Sequence, residues 1–271
     1  MMLLHQSTHR MTVQYHPRVG FLYVPNLKAR IPNELGGYFV KTNSLGFRSD
    51  HEFSKQRKGR RRVLFFGDSY TAGDGCDNQQ RFPERLGEEL DVEVYNYGMS
   101  GSGTDQQLLI FEEFAREVEA DLIVLGVTVE NIQRITVGHR ESIDRVTGNR
   151  VFVPKPYFTL DGNHLRLNQV PVPLDRPAVD TVQATIDDRQ GRARWIDWSM
   201  AMYRKLPWLK IAGESLQARL QKVRGHLLRQ IGFQPYQGYT SANHDGWKLM
   251  KAIIERFHSN ASTIPVLVVP I

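Results

Sequence analysis

Apolar, strand-like runs alternate with amphipathic segments between residues 62 and 127. The runs occupy residues 63–66, 92–95 and 122–127, and the last is continuously apolar, as is typical of a strand covered on both faces. Strand–helix–strand–helix–strand connections predict a parallel sheet with right-handed crossovers. We therefore expect an α/β fold, a three-layer α/β/α sandwich around a central parallel sheet of the flavodoxin-like kind.

Two helices are expected between these strands. Residues 82–90 place Phe82, Leu86 and Leu90 on one helical face. Thr104 can cap a second helix that runs to about Val118 and carries an apolar side for burial on the sheet.

The remaining segments are less regular. We expect residues 1–61 to form short strands and loops at the edge of the core, and residues 62–271 to form the main domain, with an insertion at about 135–194. Prolines in that insertion suit loops and edge strands. Helical patterns also cover residues 195–231, interrupted at Pro207, and residues 245–257, and a buried strand is expected at 265–270.

Composition limits the class of protein. The chain has 271 residues, 41% hydrophobic and 24% charged, as is ordinary for a soluble globular protein. No apolar run approaches the roughly 18 residues of a membrane span. The start lacks the features of a signal peptide, and Cys76 is the single cysteine, so we expect a cytoplasmic protein without an internal disulfide.

Charge and motif patterns exclude several ligands. The net charge is +6, and the basic run at residues 55–62 is expected to be a solvated loop, because no nucleic-acid motif follows it. No histidine pair has metal-ligand spacing beside carboxylates, and no phosphate loop follows the glycines near Ser69. We therefore expect no metal, no cofactor, no nucleic acid and no membrane span.

The first strand-like run leads into a turn of small and polar residues. Residues 65–73 read FFGDSYTAG, which would set Ser69 at the carboxyl edge of a parallel sheet, where open α/β sheets bind ligands. A serine held there is a candidate nucleophile. The alternative is a structural cap, because Asp and Ser after a strand often begin the next helix.

Three segments together resemble the GDSL, or SGNH, hydrolases, a family of esterases and lipases. Residues 65–73 are similar to the family's first block, and NYGMSGSGT at 96–104 is similar to the second, which supplies an oxyanion-hole glycine, by position Gly101. LGVTVENI at 125–132 resembles the third block, normally Gly-x-Asn-Asp, so that either Asn131 or Glu130 takes the asparagine's place. The segment NSLGFR at 43–48 resembles one that precedes the first strand in sugar-esterase-like members.

The resemblance implies a serine ester hydrolase (esterase, lipase or deacetylase) that acts through an acyl-enzyme on a small-molecule or carbohydrate ester. Ser69 would attack the acyl carbonyl. The backbone N–H groups of Ser69 and Gly101 and the amide of Asn131 would hold the oxyanion, where one donor is worth about 3 kcal/mol. Glu130 in the third position would set a carboxylate beside the oxyanion, which is repulsive unless protonated. Asp68 is expected to shape the turn.

The resemblance also implies a general base, a histidine three residues after an aspartate, beyond the last strand. Because the strand at 265–270 closes the sequence, we expect that pair beyond Ile271, in a fold incomplete at its C-terminus. A second interpretation makes His244 the base, at a helix start that also suits capping. The third, Asp161 and His164, is the one literal Asp-x-x-His, but Asp-Gly there is a hairpin signal.

Two other functions stay open at this point. Transfer of the acyl group to a sugar hydroxyl differs from hydrolysis only in what attacks the acyl-enzyme. A non-catalytic binding module would keep the sheet without an active base.

Overall fold

The computed structural model describes residues 12–32, 36–143, 148–162, 164–176, 241 and 243–271. Two compact units divide the chain: Met1–Arg140, Val153–Asp175 and Gly238–Ile271 form one, and Glu141–Phe152 and Arg176–Gln237 form the other. The helix expected over 195–231 lies outside the described residues.

Twelve strands and five α-helices are described. The strands are β1 (Val13–His16), β2 (Gly20–Tyr23), β3 (Lys28–Ile31), β4 (Tyr38–Lys41), β5 (Arg62–Phe66), β6 (Glu93–Asn96), β7 (Leu122–Val127), β8 (His139–Ile143), β9 (Arg150–Pro154), β10 (Tyr157–Asp161), β11 (His164–Asn168) and β12 (Val266–Pro270). The helices are α1 (Ser69–Ala72), α2 (Phe82–Leu90), α3 (Thr104–Ile110), α4 (Asn131–Ile135) and α5 (Asp245–Asn260).

A four-stranded parallel sheet with the order β12-β7-β5-β6 forms the centre of the fold. Its side chains alternate between two apolar clusters, as the period of two along a strand requires. Leu64 and Phe66 of β5 belong to the larger cluster, and Val63 and Phe65 to the smaller one on the opposite face. The predicted α/β fold with a parallel central sheet is confirmed.

Helices pack on both faces of this sheet. On one face Phe66 contacts Phe111 after α3 and Phe257 of α5, with ring centroids 5.6 and 5.2 Å away. On the other, Phe82 of α2 meets Phe65 edge to face at 5.9 Å. The three-layer arrangement of the prediction is therefore present.

The α2 face of the sheet is only partly covered by described residues. Phe82, Leu86 and Leu90, which share one side of α2, are 41%, 39% and 64% exposed. Together with Leu267 and Val269 of β12 they line an apolar cavity of about 580 Å³. The helical spacing of α2 was predicted, and its apolar side lies along this cavity.

The helix after the second block differs from the expectation at both ends. Gly103, not Thr104, is the residue that caps α3, and Thr104 is the first helical residue. Regular α-helix ends at Ile110, and a π-turn at Phe111–Ala115 continues it. The expected apolar side is buried.

The basic run is mostly solvated, as expected, but it ends in a buried arginine. Lys55, Arg57 and Arg60 form exposed ion pairs with acidic side chains. The Arg62 side chain is fully buried, donates to Glu93 at 2.6 Å, and lies over the Tyr95 ring at 4.3 Å. Burial is possible because four backbone carbonyls also accept from its guanidinium.

The described residues also form four antiparallel hairpins. The first two, β1–β2 and β3–β4, lie in the N-terminal segment, and β8–β9 and β10–β11 follow α4. In β10–β11, Asp161 pairs with His164 across the turn, so the hairpin prediction is confirmed. The assignment of residues 1–61 as a separate N-terminal segment, and of 135–194 as an insertion, stays a prediction.

Candidate functional site

Ser69 is the first residue of α1, directly beyond the carboxyl end of β5. Asp68 caps this short helix, since its Oδ1 accepts from the Tyr70 N–H at 3.1 Å. Gly73 ends it in the left-handed region at φ 76° and donates to the Ser69 carbonyl. The capping role therefore belongs to Asp68. The Ser69 side chain is half-buried, and its hydroxyl has no hydrogen-bond partner among the described residues.

Glycines let the first two blocks approach each other closely. A Cβ on Gly67 would lie 2.0 Å from Thr71 Oγ1, and one on Gly98 would lie 2.6 Å from the Ala72 nitrogen. Asn96 stabilises the contact between the two blocks. Its Nδ2 donates to the Thr71 carbonyl at 2.9 Å, and its Oδ1 accepts from the Gly98 N–H at 2.9 Å. Small residues in both blocks are thus required by packing.

Gly101 lies in a turn that hydrogen bonds hold to the end of β5. The Met99 N–H donates to the Gly67 carbonyl at 2.9 Å, and the Ser102 hydroxyl lies 3.5 Å from the same oxygen. Gly101 has φ 75°, a conformation that favours glycine. The turn that carries Gly101 is therefore fixed to the residue two positions before Ser69.

Asn131 begins α4, beyond the carboxyl end of β7, and is fully buried. Its Oδ1 accepts from Arg134 Nη1 at 3.2 Å, and its Nδ2 is buried without a hydrogen-bond partner among the described residues. Glu130 differs, since its side chain is 53% exposed. A buried, unpaired N–H donor is unfavourable by about 1–3 kcal/mol, and native proteins keep such groups for identifiable reasons.

The first and third blocks meet at the Asp68 carboxylate, which is 1% exposed. Thr128 donates its hydroxyl to Asp68 Oδ2 at 2.5 Å, and Arg134 Nη1 lies 3.3 Å from the same oxygen. Arg134 was not singled out in the sequence. Its position one helical turn after Asn131 was the available signal, because residues three apart share a helix face.

His244 caps α5 and is exposed. Its Nδ1 accepts from the Gly246 N–H at 3.1 Å, so the neutral ring carries its proton on Nε2. A general base that receives a serine proton at Nε2 needs the opposite tautomer. The start of α5 does lie beside α4, since a Cβ on Gly246 would come within 2.8 Å of Ile132 Cγ2. The assignment of His244 as base stays a prediction.

The other histidine considered as a base lies in a hairpin. His164 begins β11 and is exposed, paired with Asp161 across the turn.

Within the described segments, no three His, Cys, Asp or Glu side chains come together in a group that could hold a metal ion. No helix in the same segments is long and apolar enough to cross a bilayer.

Fold and site thus define a mixed α/β protein with a serine, a glycine turn and a buried asparagine after its parallel strands. No protein-family profile matches the sequence, and no curated protein matches it. Among solved structures, the chain is similar to AlinE4, an esterase of the SGNH-hydrolase family, with 24% identity and a TM-score of 0.25. The match covers 29% of this chain and 46% of AlinE4, and two variants of AlinE4 match at 23% and 24% identity. The chain therefore spans less than half the length of the structures it matches.

Proposed function

We propose that the protein is a serine ester hydrolase that acts through an acyl-enzyme. The observation that carries the proposal is the convergence of three segments next to Ser69: the Gly67 carbonyl accepts from Met99, and the Asp68 carboxylate accepts from Thr128 and Arg134. A bare capping turn does not require these contacts with two other strand ends.

In the proposed reaction Ser69 Oγ attacks the acyl carbonyl and its proton passes to a general base. The tetrahedral intermediate then collapses, the ester C–O bond breaks, and the base returns the proton to the leaving alcohol. Water attacks the acyl-enzyme in the same manner, releasing the acid and free Ser69.

The oxyanion would be held by the backbone N–H groups of Ser69 and Gly101 and by Asn131 Nδ2. The amide of Asn131 suits this role because Nδ2 is a buried donor with no acceptor in the part of the chain that the structure describes. Glu130 does not suit it, because its side chain is 53% exposed and its carboxylate carries the same charge sign as the oxyanion. Nδ2 would gain an acceptor only when attack on the substrate carbonyl turns its oxygen into an oxyanion. A hydrogen bond that forms in the transition state and not in the bound substrate lowers the activation barrier.

His244 is one candidate for the general base. His244 would have to release Gly246 and turn its ring before Nε2 could accept a proton. A second candidate function, a non-catalytic binding module, is favoured by that arrangement of His244. Transfer of the acyl group to a sugar hydroxyl is a variant of the same chemistry.

Hydrolysis of p-nitrophenyl esters with acyl chains of two to twelve carbons tests the proposal, with Ser69→Ala as the comparison. Turnover that Ser69→Ala abolishes supports ester hydrolysis. Absence of turnover with every ester favours the binding module. Release of p-nitrophenol that rises with an added sugar acceptor, with acylated sugar as product, identifies the acyltransferase variant.

A further inference from the structure

Arg134 joins all three segments of the candidate site through one nitrogen. Its Nη1 lies 3.2 Å from Asn131 Oδ1, 3.3 Å from Asp68 Oδ2 and 3.4 Å from the Ser102 carbonyl. Asp68 follows β5, Ser102 follows Gly101, and Asn131 follows β7. A single cationic donor therefore contacts each segment that would contribute to the oxyanion hole.

The contact with Asn131 fixes which end of its amide is directed away from the guanidinium. A cationic N–H donor binds the amide oxygen and repels the amide NH₂ group, so Oδ1 is held beside Arg134 and Nδ2 is turned to the other side. The reversed amide would present an oxygen to the developing oxyanion, and two oxygens with partial negative charge repel each other.

The arginine is itself held by the Asp68 carboxylate. Asp68 is 1% exposed, while the Arg134 side chain is 35% exposed, so the buried carboxylate anchors the more exposed partner. Thr128 donates to the same carboxylate oxygen at 2.5 Å and fixes its position. Asp68, Arg134 and Asn131 thus form a chain of charge-assisted contacts that ends at the unpaired Nδ2.

A surface ion pair does not explain this arrangement. Glu130 lies one turn before Arg134, but the two side chains are 3.9 Å apart and Glu130 is exposed. Such exposed helix pairs contribute a few tenths of a kcal/mol. The shorter contacts of Arg134 all join its Nη1 to residues of the candidate site.

We propose that Arg134 is a positioning residue that orients the Asn131 amide so that Nδ2 donates to the oxyanion. This inference rests on the ester hydrolase function proposed above. Arg134 acts through Asn131 and touches no reacting atom. Its guanidinium therefore affects the transition state more than substrate binding, and its loss lowers kcat with little change in KM.

A double-mutant cycle tests this coupling. Arg134→Met is expected to lower kcat by about 30-fold, less than the roughly 10²–10³-fold effect of removing a whole donor. Arg134→Lys, which keeps a cationic donor, should recover about tenfold of that loss. In an Asn131→Ala background, Arg134→Met should change kcat by less than about threefold, because the amide it orients is gone. Effects that multiply would overturn the proposal.

A matched arginine on another helix provides the control for these substitutions, and thermal unfolding tests whether each variant keeps its stability. Arg85 on α2 also pairs with a glutamate on its own helix, Glu88 at 2.7 Å, and lies outside the site. Arg85→Met should leave kcat unchanged. Thermal unfolding of each variant shows whether lost activity follows lost stability. A loss of kcat that scales with the fall in melting temperature in every variant, Arg134→Lys included, would contradict a positioning role.

A second readout does not depend on turnover. In ¹H–¹⁵N spectra the side-chain NH₂ pair that disappears in Asn131→Ala belongs to Asn131. Arg134→Met should shift or broaden this pair more than the other side-chain amides, and Arg85→Met should not. An unchanged pair overturns the proposal. If the pair moves but the protein hydrolyses no ester, the positioning contact stands and the ester hydrolase function fails.

Discussion

Asp68 and Thr128 share a hydrogen bond of 2.5 Å between the Thr128 hydroxyl and Asp68 Oδ2. The bond joins the residues that follow β5 and β7, two neighbouring strands of the parallel sheet. Because Asp68 also caps α1 through Tyr70, its carboxylate fixes the helix that begins with Ser69 to the segment that carries Asn131. Asp68 therefore does more than shape its own turn.

Asp68→Ala should lower the free energy of unfolding by about 2–4 kcal/mol. The substitution removes a helix cap worth about 1 kcal/mol, leaves the buried Thr128 hydroxyl without its acceptor and removes the counter-charge of Arg134. Urea unfolding of the variant and of Asp91→Asn, an exposed aspartate paired with Arg60, measures the difference. A loss below about 0.5 kcal/mol for Asp68→Ala would show that the carboxylate does not hold these segments together.

The two candidates for the third block are separated by single substitutions. Asn131→Ala should lower kcat for ester hydrolysis by about 10²–10³-fold, because it removes one oxyanion donor. Glu130→Ala should change kcat by less than about threefold, since this carboxylate is exposed and pairs weakly with Arg134. Steady-state kinetics on one ester decide between them, and a large loss only in Glu130→Ala would reverse the assignment.

A buried ion pair supports the helix that follows the Gly101 turn. Lys155 donates to the Asp105 carboxylate, and their side chains are 4% and 0% exposed. Asp105→Ala should destabilise the protein by about 3–5 kcal/mol, because a buried ammonium is left without its partner. The double variant Asp105→Leu with Lys155→Met should be much closer to the wild type in urea unfolding. Equal losses in the single and double variants would argue against a charge effect.

His16 makes stability depend on pH. Burial lowers its pKa below 6.5, the nearby Arg18 acts in the same direction, and Glu113 opposes both. Nδ1 of His16 accepts from the N–H groups of Arg18 and Val19 at 3.3 and 3.2 Å, and protonation of Nδ1 would break both bonds. Because the unfolded chain then binds the proton more readily, stability present above pH 6.5 is lost as the pH falls through the native pKa.

The variant His16→Asn provides the comparison for that pH dependence. Its amide oxygen can accept the same backbone N–H groups and does not titrate. The free energy of unfolding of both proteins is measured between pH 7.5 and 4.5, a range of about one to two units on either side of the usual histidine pKa. As the pH falls, this free energy should decrease more steeply in the wild type than in His16→Asn. Parallel curves would show that His16 does not contribute to acid destabilisation.

Local sequence patterns predicted the individual strands of the sheet and the turn after β5 that carries Ser69. The apolar run at 122–127 and the helical spacing at 82–90 match β7 and α2 to the residue, because burial and periodicity are properties of neighbouring residues. The strand order β12-β7-β5-β6 was not predicted, since it depends on contacts between distant segments. Thr104 was expected as the cap of α3, but Gly103 caps this helix and Thr104 is its first residue.

The candidate site was predictable only where a motif marks it. Ser69, Gly101 and Asn131 could be proposed from three short blocks, whereas Arg134 looks like an ordinary surface residue of a helix. Its contact with Asp68 spans 66 residues of sequence, and only the folded sheet brings the two together. His244 illustrates the reverse case, because its Nδ1 accepts a backbone bond that a motif cannot reveal.

Covalent labelling tests most directly whether Ser69 is an activated nucleophile. The protein is treated with a fluorophosphonate, which phosphonylates a serine hydroxyl with loss of fluoride, and the modified peptide is identified by mass spectrometry. The account predicts stoichiometric labelling of Ser69, no labelling of Ser69→Ala and slower labelling of Asn131→Ala. Failure to label Ser69 in the folded protein, or labelling of another serine that persists in Ser69→Ala, would contradict it.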